Sequence, residues 1–158
     1  MLTENLKWVP VMNAANVSTG TDCDSINMSG IHKATFLFMC GTVTTDLTIT
    51  PTTGKTEGTK TNAVTCLSAI GGAVIGTAAG SGSLVSCDVL SAWTSNATAA
   101  TVSAASNKFF VIEVDGASIT TGDSWLTLTV AAGTSGIVFC VAVLEPRFGN
   151  NRSLTALK

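Results

Sequence analysis

Several runs of this chain alternate apolar and polar side chains with a period of two, and that alternation restricts the fold to one built from β-strands. Residues 108–115 put Phe110, Ile112 and Val114 on one side and Glu113 and Asp115 on the other. Residues 125–130 divide Leu126, Leu128 and Val130 from Thr127 and Thr129 in the same way. Successive side chains of a strand point to opposite faces, so each run offers one face to a core. Residues 46–50 set Leu47 and Ile49 against Thr48 and Thr50, and this run is expected to stop at Pro51, before an exposed loop over residues 51–61. Residues 31–40 carry Ala34, Phe36, Phe38 and Cys40 on one face and Leu37 and Met39 on the other. Both faces are apolar, which marks a central strand. Residues 137–144 are apolar throughout, as in a strand covered on both sides.

Weaker strand patterns at residues 8–12, 22–28, 63–69 and 84–89 bring the count to about nine. Turn residues separate them, and the chain length suits one hydrophobic core. The expected fold class is therefore all-β: a single-domain antiparallel β-sandwich or jelly-roll-like barrel. No amphipathic helix competes. Residues 96–105 are Ala-rich, and their Thr, Val and Ser content leaves a short helix and a loop equally open. Residues 70–83 are rich in Gly and Ala, which suits either close backbone packing or a loose loop. The expected division is an N-terminal arm over residues 1–12, the β domain over 13–144 and a C-terminal arm over 145–158.

Only 11% of the residues are charged, less than half the share of about 25% usual in globular proteins. The surface must be coated by Ser, Thr, Asn and Gly. So neutral a coat suits a protein whose surface is covered in an assembly, although a secreted domain with a Thr-rich skin would have it too. The formal net charge of −2 lacks the basic footprint needed to grip nucleic acid by its phosphates. Lys55 and Lys60 are the only close basic pair mid-chain, and after Glu145 come Arg147, Arg152 and Lys158 with no acid among them. That tail suits an acidic partner surface or a solvated chain end.

Five cysteines, Cys23, Cys40, Cys66, Cys87 and Cys140, contain no Cys-x-x-Cys pair and are odd in number, so neither a disulfide framework nor a zinc knuckle fits. Cys40 and Cys140 stand in apolar runs, where a thiol acts as a small hydrophobe, and most are expected to be reduced core residues of a protein assembled in a reducing cytosol. Glu4 stands where an export signal wants bases and Pro10 interrupts the apolar run that follows, so no export signal is expected. Between Lys60 and Asp88 no residue is charged, but Gly71, Gly72, Gly76 and Gly80 and several Thr and Ser leave too few large side chains for a membrane span.

Catalytic chemistry finds little footing. His32 is the only histidine, it lies at a strand start beside Lys33, and no Gly-x-Ser-x-Gly turn supplies a nucleophile. Glu113 and Asp115 share a strand face and Asp22 and Asp24 flank Cys23, so either pair is a formal candidate for glycoside hydrolysis or calcium. The aromatic-lined cleft of a glycosidase is poorly provided for by three Trp and no Tyr, and Asp-x-Asp-x-Asp-Gly is absent. Solvated strand ends account for these acids. No phosphate loop or dinucleotide fingerprint appears, and no cofactor is expected.

Three stretches together resemble the decoration or cement proteins of tailed bacteriophage capsids. They are Leu2-Thr3-Glu4 through Val9-Pro10-Val11, Asp24-Ser25-Ile26-Asn27-Met28-Ser29-Gly30 leading into Ala34-Thr35-Phe36, and Leu144-Glu145-Pro146-Arg147-Phe148. They bracket most of the chain, while residues 52–107 carry no match. The resemblance implies a jelly-roll-like β domain, commonly a homotrimer, that clamps neighbouring subunits of the major capsid protein on the virion surface after assembly in the bacterial cytoplasm. It implies no enzyme activity, no direct nucleic-acid contact and no membrane. Within the two arms, Trp8, Arg147 and Phe148 are the expected partner-binding anchors, since aromatics and Arg dominate interface energetics. Two rival classes are a phage tail, fibre or host-glycan-binding β module, with an aromatic platform around Trp93 or Trp125, and a small enzyme using His32, Glu113 or Asp115.

Overall fold

The computed structural model describes residues 6–71, 75, 89–103, 105–147 and 156–157. Twelve strands occur among them: β1 (Lys7–Asn16), β2 (Thr21–Asp22), β3 (Ile26–Asn27), β4 (Ile31–Val43), β5 (Leu47–Gly54), β6 (Asn62–Ala63), β7 (Cys66–Ile70), β8 (Thr94–Asn96), β9 (Ala100–Val102), β10 (Phe109–Asp115), β11 (Trp125–Ala132) and β12 (Gly136–Pro146). A single 3-10 turn, Gly116–Ser118, follows β10, with the Asp115 carboxylate accepting from the Ala117 N–H at 2.8 Å.

Two antiparallel sheets of six strands pack together as a β-sandwich. The first has the order β1-β12-β4-β10-β7-β8, and the second runs β2-β11-β5-β6, with β3 also paired to β11 and β9 to β5. Alternation decides what lies between them. Phe36, Phe38, Phe110 and Ile112 from the first sheet meet Leu47, Ile49, Leu126 and Leu128 from the second, all 2% exposed or less. The Phe38 and Phe110 rings pack tilted at 6.1 Å on paired strands. As expected, β4 is central, between β12 and β10.

Several expectations need correction. The strand count rises from about nine to twelve, because residues 22–28 and 63–69 each divide into two short strands and residues 94–102 add β8 and β9. In that last stretch neither helix nor plain loop forms. Asn96 Nδ2 instead ties β8 to Ser68 of β7 at 2.9 Å, and Ala100 and Val102 are buried beside β5. Residues 84–88 of the expected strand at 84–89 lie outside the described residues, and Val89 is in no strand.

Pro51 does not end its strand. β5 continues to Gly54, with Pro51 opposite Leu128. The Leu128 carbonyl accepts from the Cys23 N–H on its other side, and the Pro51 carbonyl from Val64. The Pro51–Leu128 pair therefore exchanges no ladder bond, and the missing N–H falls between the stretches of β5 paired with β9 and with β6. Proline is tolerated in a sheet at such a position.

The expected arms also lie partly on the chain's own sandwich. Residues 7–12 begin β1, with Val9 and Val11 buried and Lys7 to Pro10 in register with β12. At the other end Ala156 is 5% exposed within the core, its carbonyl accepts from the Asn27 N–H at 2.9 Å, and Leu157 packs nearby. The end of β3 supplies both a free donor and an apolar seat, so this part of the tail docks at home.

Candidate functional site

The two outer faces of the sandwich differ in chemistry. On the second sheet, outward positions form a threonine array. Thr52 stands opposite Thr127 and Thr50 opposite Thr129, while Thr48 stands between Thr101 and Ala131. That is the polar outside normally shown by an antiparallel sheet with one face on a core.

On the first sheet the outward rows are apolar. One row reads Pro10, Val141, Leu37, Val111 and Ala69 across five strands, the last two only 3% exposed, and the next reads Phe139, Met39 and Phe109. Trp8, opposite Val143, begins a third that is not apolar throughout, since it runs on through Thr35 and Glu113 to Leu67. Their cause lies in β12, which is apolar on both faces, although only Val138, Cys140, Ala142 and Leu144 point into the core. The expectation that this strand is covered on both sides holds on the inner side alone. Ile137 is 44% exposed, Met39 47% and Trp8 48%.

Charge collects at one end of this face. Lys33 lies between Glu145 and Asp115 in the register, and its ammonium meets Glu113 Oε1 at 2.8 Å. The hydrogen bond that Lys33 donates to Glu113 raises the Lys33 pKa against the opposing effect of burial, with the charges of Glu113, Glu145 and Asp115 adding to the rise. Just beyond Pro146, at the end of the β12–β4 ladder, the Arg147 N–H donates to the Gly30 carbonyl at 2.8 Å and its Nε to the Ile31 carbonyl at 3.2 Å. Arg147 and Asp123 line a hollow of about 220 Å³ with Met28, Ser29, Gly116 and Thr120. Of the expected anchors, Trp8 is thus on the apolar face and Arg147 just beyond the end of β12 in the same sheet, while Phe148 lies outside the described residues.

No protein-family model, curated protein or solved structure matches the chain. The chemistry of its own side chains therefore carries the functional reading.

Each residue considered for catalysis has a definite setting. Glu113 is taken up by Lys33 and Asp115 by the 3-10 turn. His32 is exposed on β4. Asp22 accepts from Thr129 Oγ1 at 2.6 Å and pairs with Lys60 at 2.9 Å. Burial works against the Asp22 charge, but Thr129 and Lys60 outweigh it and hold the carboxyl below its ordinary range. Asp24 is exposed, and its N–H donates to the Val11 carbonyl. The two acids flanking Cys23 therefore do not work as a pair. Asp123, not singled out from the sequence, accepts from Thr53 at 2.8 Å and Asn62 at 2.9 Å. The bonds from Asn62 and then Thr53 lower its pKa.

Cys23, Cys40, Cys66 and Cys140 are free thiols in the interior, and Cys87 lies outside the described residues. Burial pushes the Cys40 thiol up to about 11 and raises Cys66 and Cys140 as well. A neutral, buried thiol is a poor nucleophile. Among the described residues no three His, Cys, Asp or Glu converge as for a metal ion, and no helix is long and apolar enough to cross a membrane. Trp93 is 46% exposed just before β8 of the first sheet, whereas Trp125 is half-buried on the second, so they build no common aromatic platform.

The sequence named Trp8 and Arg147 but not the face that Trp8 belongs to. Its signal was present in the uninterrupted apolar run of residues 137–144, which is longer than a one-sided strand requires.

Proposed function

We propose that the chain is a non-enzymatic virion structural protein that decorates a bacteriophage capsid and stabilises it by clamping neighbouring subunits of the major capsid protein. The observation that carries this reading is the apolar outer face of the first sheet, with Trp8, Met39 and Ile137 each more than two-fifths exposed. A surface of that kind is built to be covered. The two-layer β scaffold supplies stiffness, and the charge-poor coat lowers the cost of burying surface against a shell. Four buried, unpaired thiols fit assembly in a reducing bacterial cytoplasm before release on the virion surface. The homotrimer, the capsid partner, and the absence of cofactor, membrane and direct nucleic-acid contact belong to this same reading.

The test is co-sedimentation of the purified chain with capsid shells from its source, followed by heating of the decorated shells. Binding at a fixed number of copies per shell and a raised disruption temperature are expected, with weakened binding in Trp8→Ala and Arg147→Ala. A chain that ignores shells but is retained on host glycans through Trp93 would replace this reading with the glycan-binding module.

A further inference from the structure

Three connections meet at the end of the sandwich beyond Lys33: the turn from β3 to β4, the link from β10 to β11, and the chain just past β12. The hollow of about 220 Å³ lies between them, and backbone bonds hold its walls. The Asp123 N–H closes a turn on the Thr120 carbonyl at 2.9 Å, with Gly122 at φ +93°, the left-handed value that a type II turn asks of its third residue. The Met28 N–H donates to the Ser124 carbonyl at 2.7 Å and the Ile31 N–H to the Met28 carbonyl at 3.0 Å, which ties the β3–β4 turn to the residue before β11. Arg147 supplies the third wall. Its Nε is fixed on the Ile31 carbonyl, and its guanidinium reaches Gly116, where an added Cβ would stand 3.2 Å from Nη2 and closer still to the Ile31 and His32 carbonyls.

Two groups in this lining keep bonding capacity. A guanidinium carries five N–H donors, and Arg147 spends one of them within the chain. The ion pairs among the described residues are Lys33–Glu113 and Lys60–Asp22, so Arg147 is in neither. Asp123 takes its bonds from both Thr53 and Asn62 on Oδ2, which leaves Oδ1 for a further donor.

We infer that this hollow takes an acidic residue from a neighbouring subunit of the shell, its carboxylate on the Nη groups of Arg147 and its backbone N–H on Asp123 Oδ1. The inference rests on the reading of the chain as a decoration protein and names the chemistry by which one point of the clamp is gripped. A planar carboxylate matches the guanidinium fork with two parallel bonds. A phosphate would instead turn a second charge towards Asp123. The chain's own tail does not supply the acid, since no acidic side chain follows Glu145. Walls already in place spare the ordering cost that a loose surface arginine carries.

Two readouts test this. In the first, N-acetylaspartate N-methylamide and its asparagine counterpart are titrated into the full chain while NMR follows the backbone amides of residues 120–123 and the Arg147 Nε–H. Saturable shifts with the acid alone are expected, lost in Arg147→Gln and kept in Lys108→Gln, which removes a charge at the far end of β10. Arg147 is exposed, so the fold tolerates its replacement, and circular dichroism checks that it does. No shift at these residues, or equal shifts with both compounds, overturns the inference. In the second readout, shells from the source are bound by the natural chain, Arg147→Lys and Lys108→Gln. Lysine keeps the charge but not the fork, so binding about tenfold weaker is expected for Arg147→Lys alone. Full binding by Arg147→Lys overturns the inference and leaves decoration standing. A chain that shows the acid-specific shifts but ignores shells keeps the acid site and overturns decoration, together with the shell as the source of the acid.

Discussion

Ser25 and Thr127 share a hydrogen bond of 2.7 Å between hydroxyls that solvent hardly reaches, the residues being 7% and 1% exposed. Ser25 Oγ also accepts from the Gly58 N–H at 3.1 Å, so this one contact ties β11, the link between β2 and β3, and the loop after β5. Thr127→Val keeps the shape and removes one partner. It is expected to cost about 1–2 kcal/mol of unfolding free energy, read from the urea midpoint at unchanged slope.

The Asp123 carboxylate, held by Asn62 and Thr53, titrates below its ordinary value of 3.8. A depressed pKa gives stability that is present above the unfolded value and is lost as pH falls through the folded one, because the unfolded chain takes up its proton first. Asp123→Asn is expected to be less stable than the natural chain at neutral pH. The gap should narrow as pH drops below 3.8, measured by thermal unfolding across an acid series. A gap independent of pH would show that the charge plays no part.

The opposite sign holds for Cys40. Burial raises its thiol from 9.0 to about 11, so its contribution is whole below pH 9 and is lost as pH rises toward 11, where the unfolded chain ionises more readily. The loss is about 3 kcal/mol. Cys40→Ala should unfold with a shallower alkaline slope than the natural chain, the remaining slope belonging to other raised thiols such as Cys66 and Cys140.

Gly54 closes β5 against Thr59, and a Cβ there would run into the Thr59 side chain and its carbonyl. Gly54→Ala is expected to cost about 1–3 kcal/mol through this overlap. Adding Thr59→Ala should recover only part of it, because the carbonyl stays in place. A double-mutant cycle in urea measures the coupling.

Much of the fold was legible because alternation survives in the long strands. Phe36, Phe38, Phe110, Ile112, Leu126 and Leu128 all point where period two puts them. What escaped was decided by partners distant in sequence. β8 and β9 are short polar or small-residue segments that become strands only because Ser68 and Ile49 lie alongside. Pro51 reads as a stop, and only the directions of the Leu128 and Pro51 carbonyls show that no bond is lost. For the candidate site, interface energetics picked Trp8, but which face carries the apolar rows depends on the sheet order that sets β12 beside β1 and β4.

That order also dictates when the molecule can come together. Among the described residues β1 pairs only with β12, and β12 lies between β1 and β4. A ribosome-bound chain that has made β1 through β11 must therefore hold β1 unpaired and one side of β4 open. Pairings that join the two extremes of a sequence pay loop-closure entropy before they return any contact, which makes folding slow and the waiting edge sticky. β12, the last strand among the described residues, is the one that shuts the sheet, so truncation before it is expected to leave an aggregating chain, not a smaller sandwich.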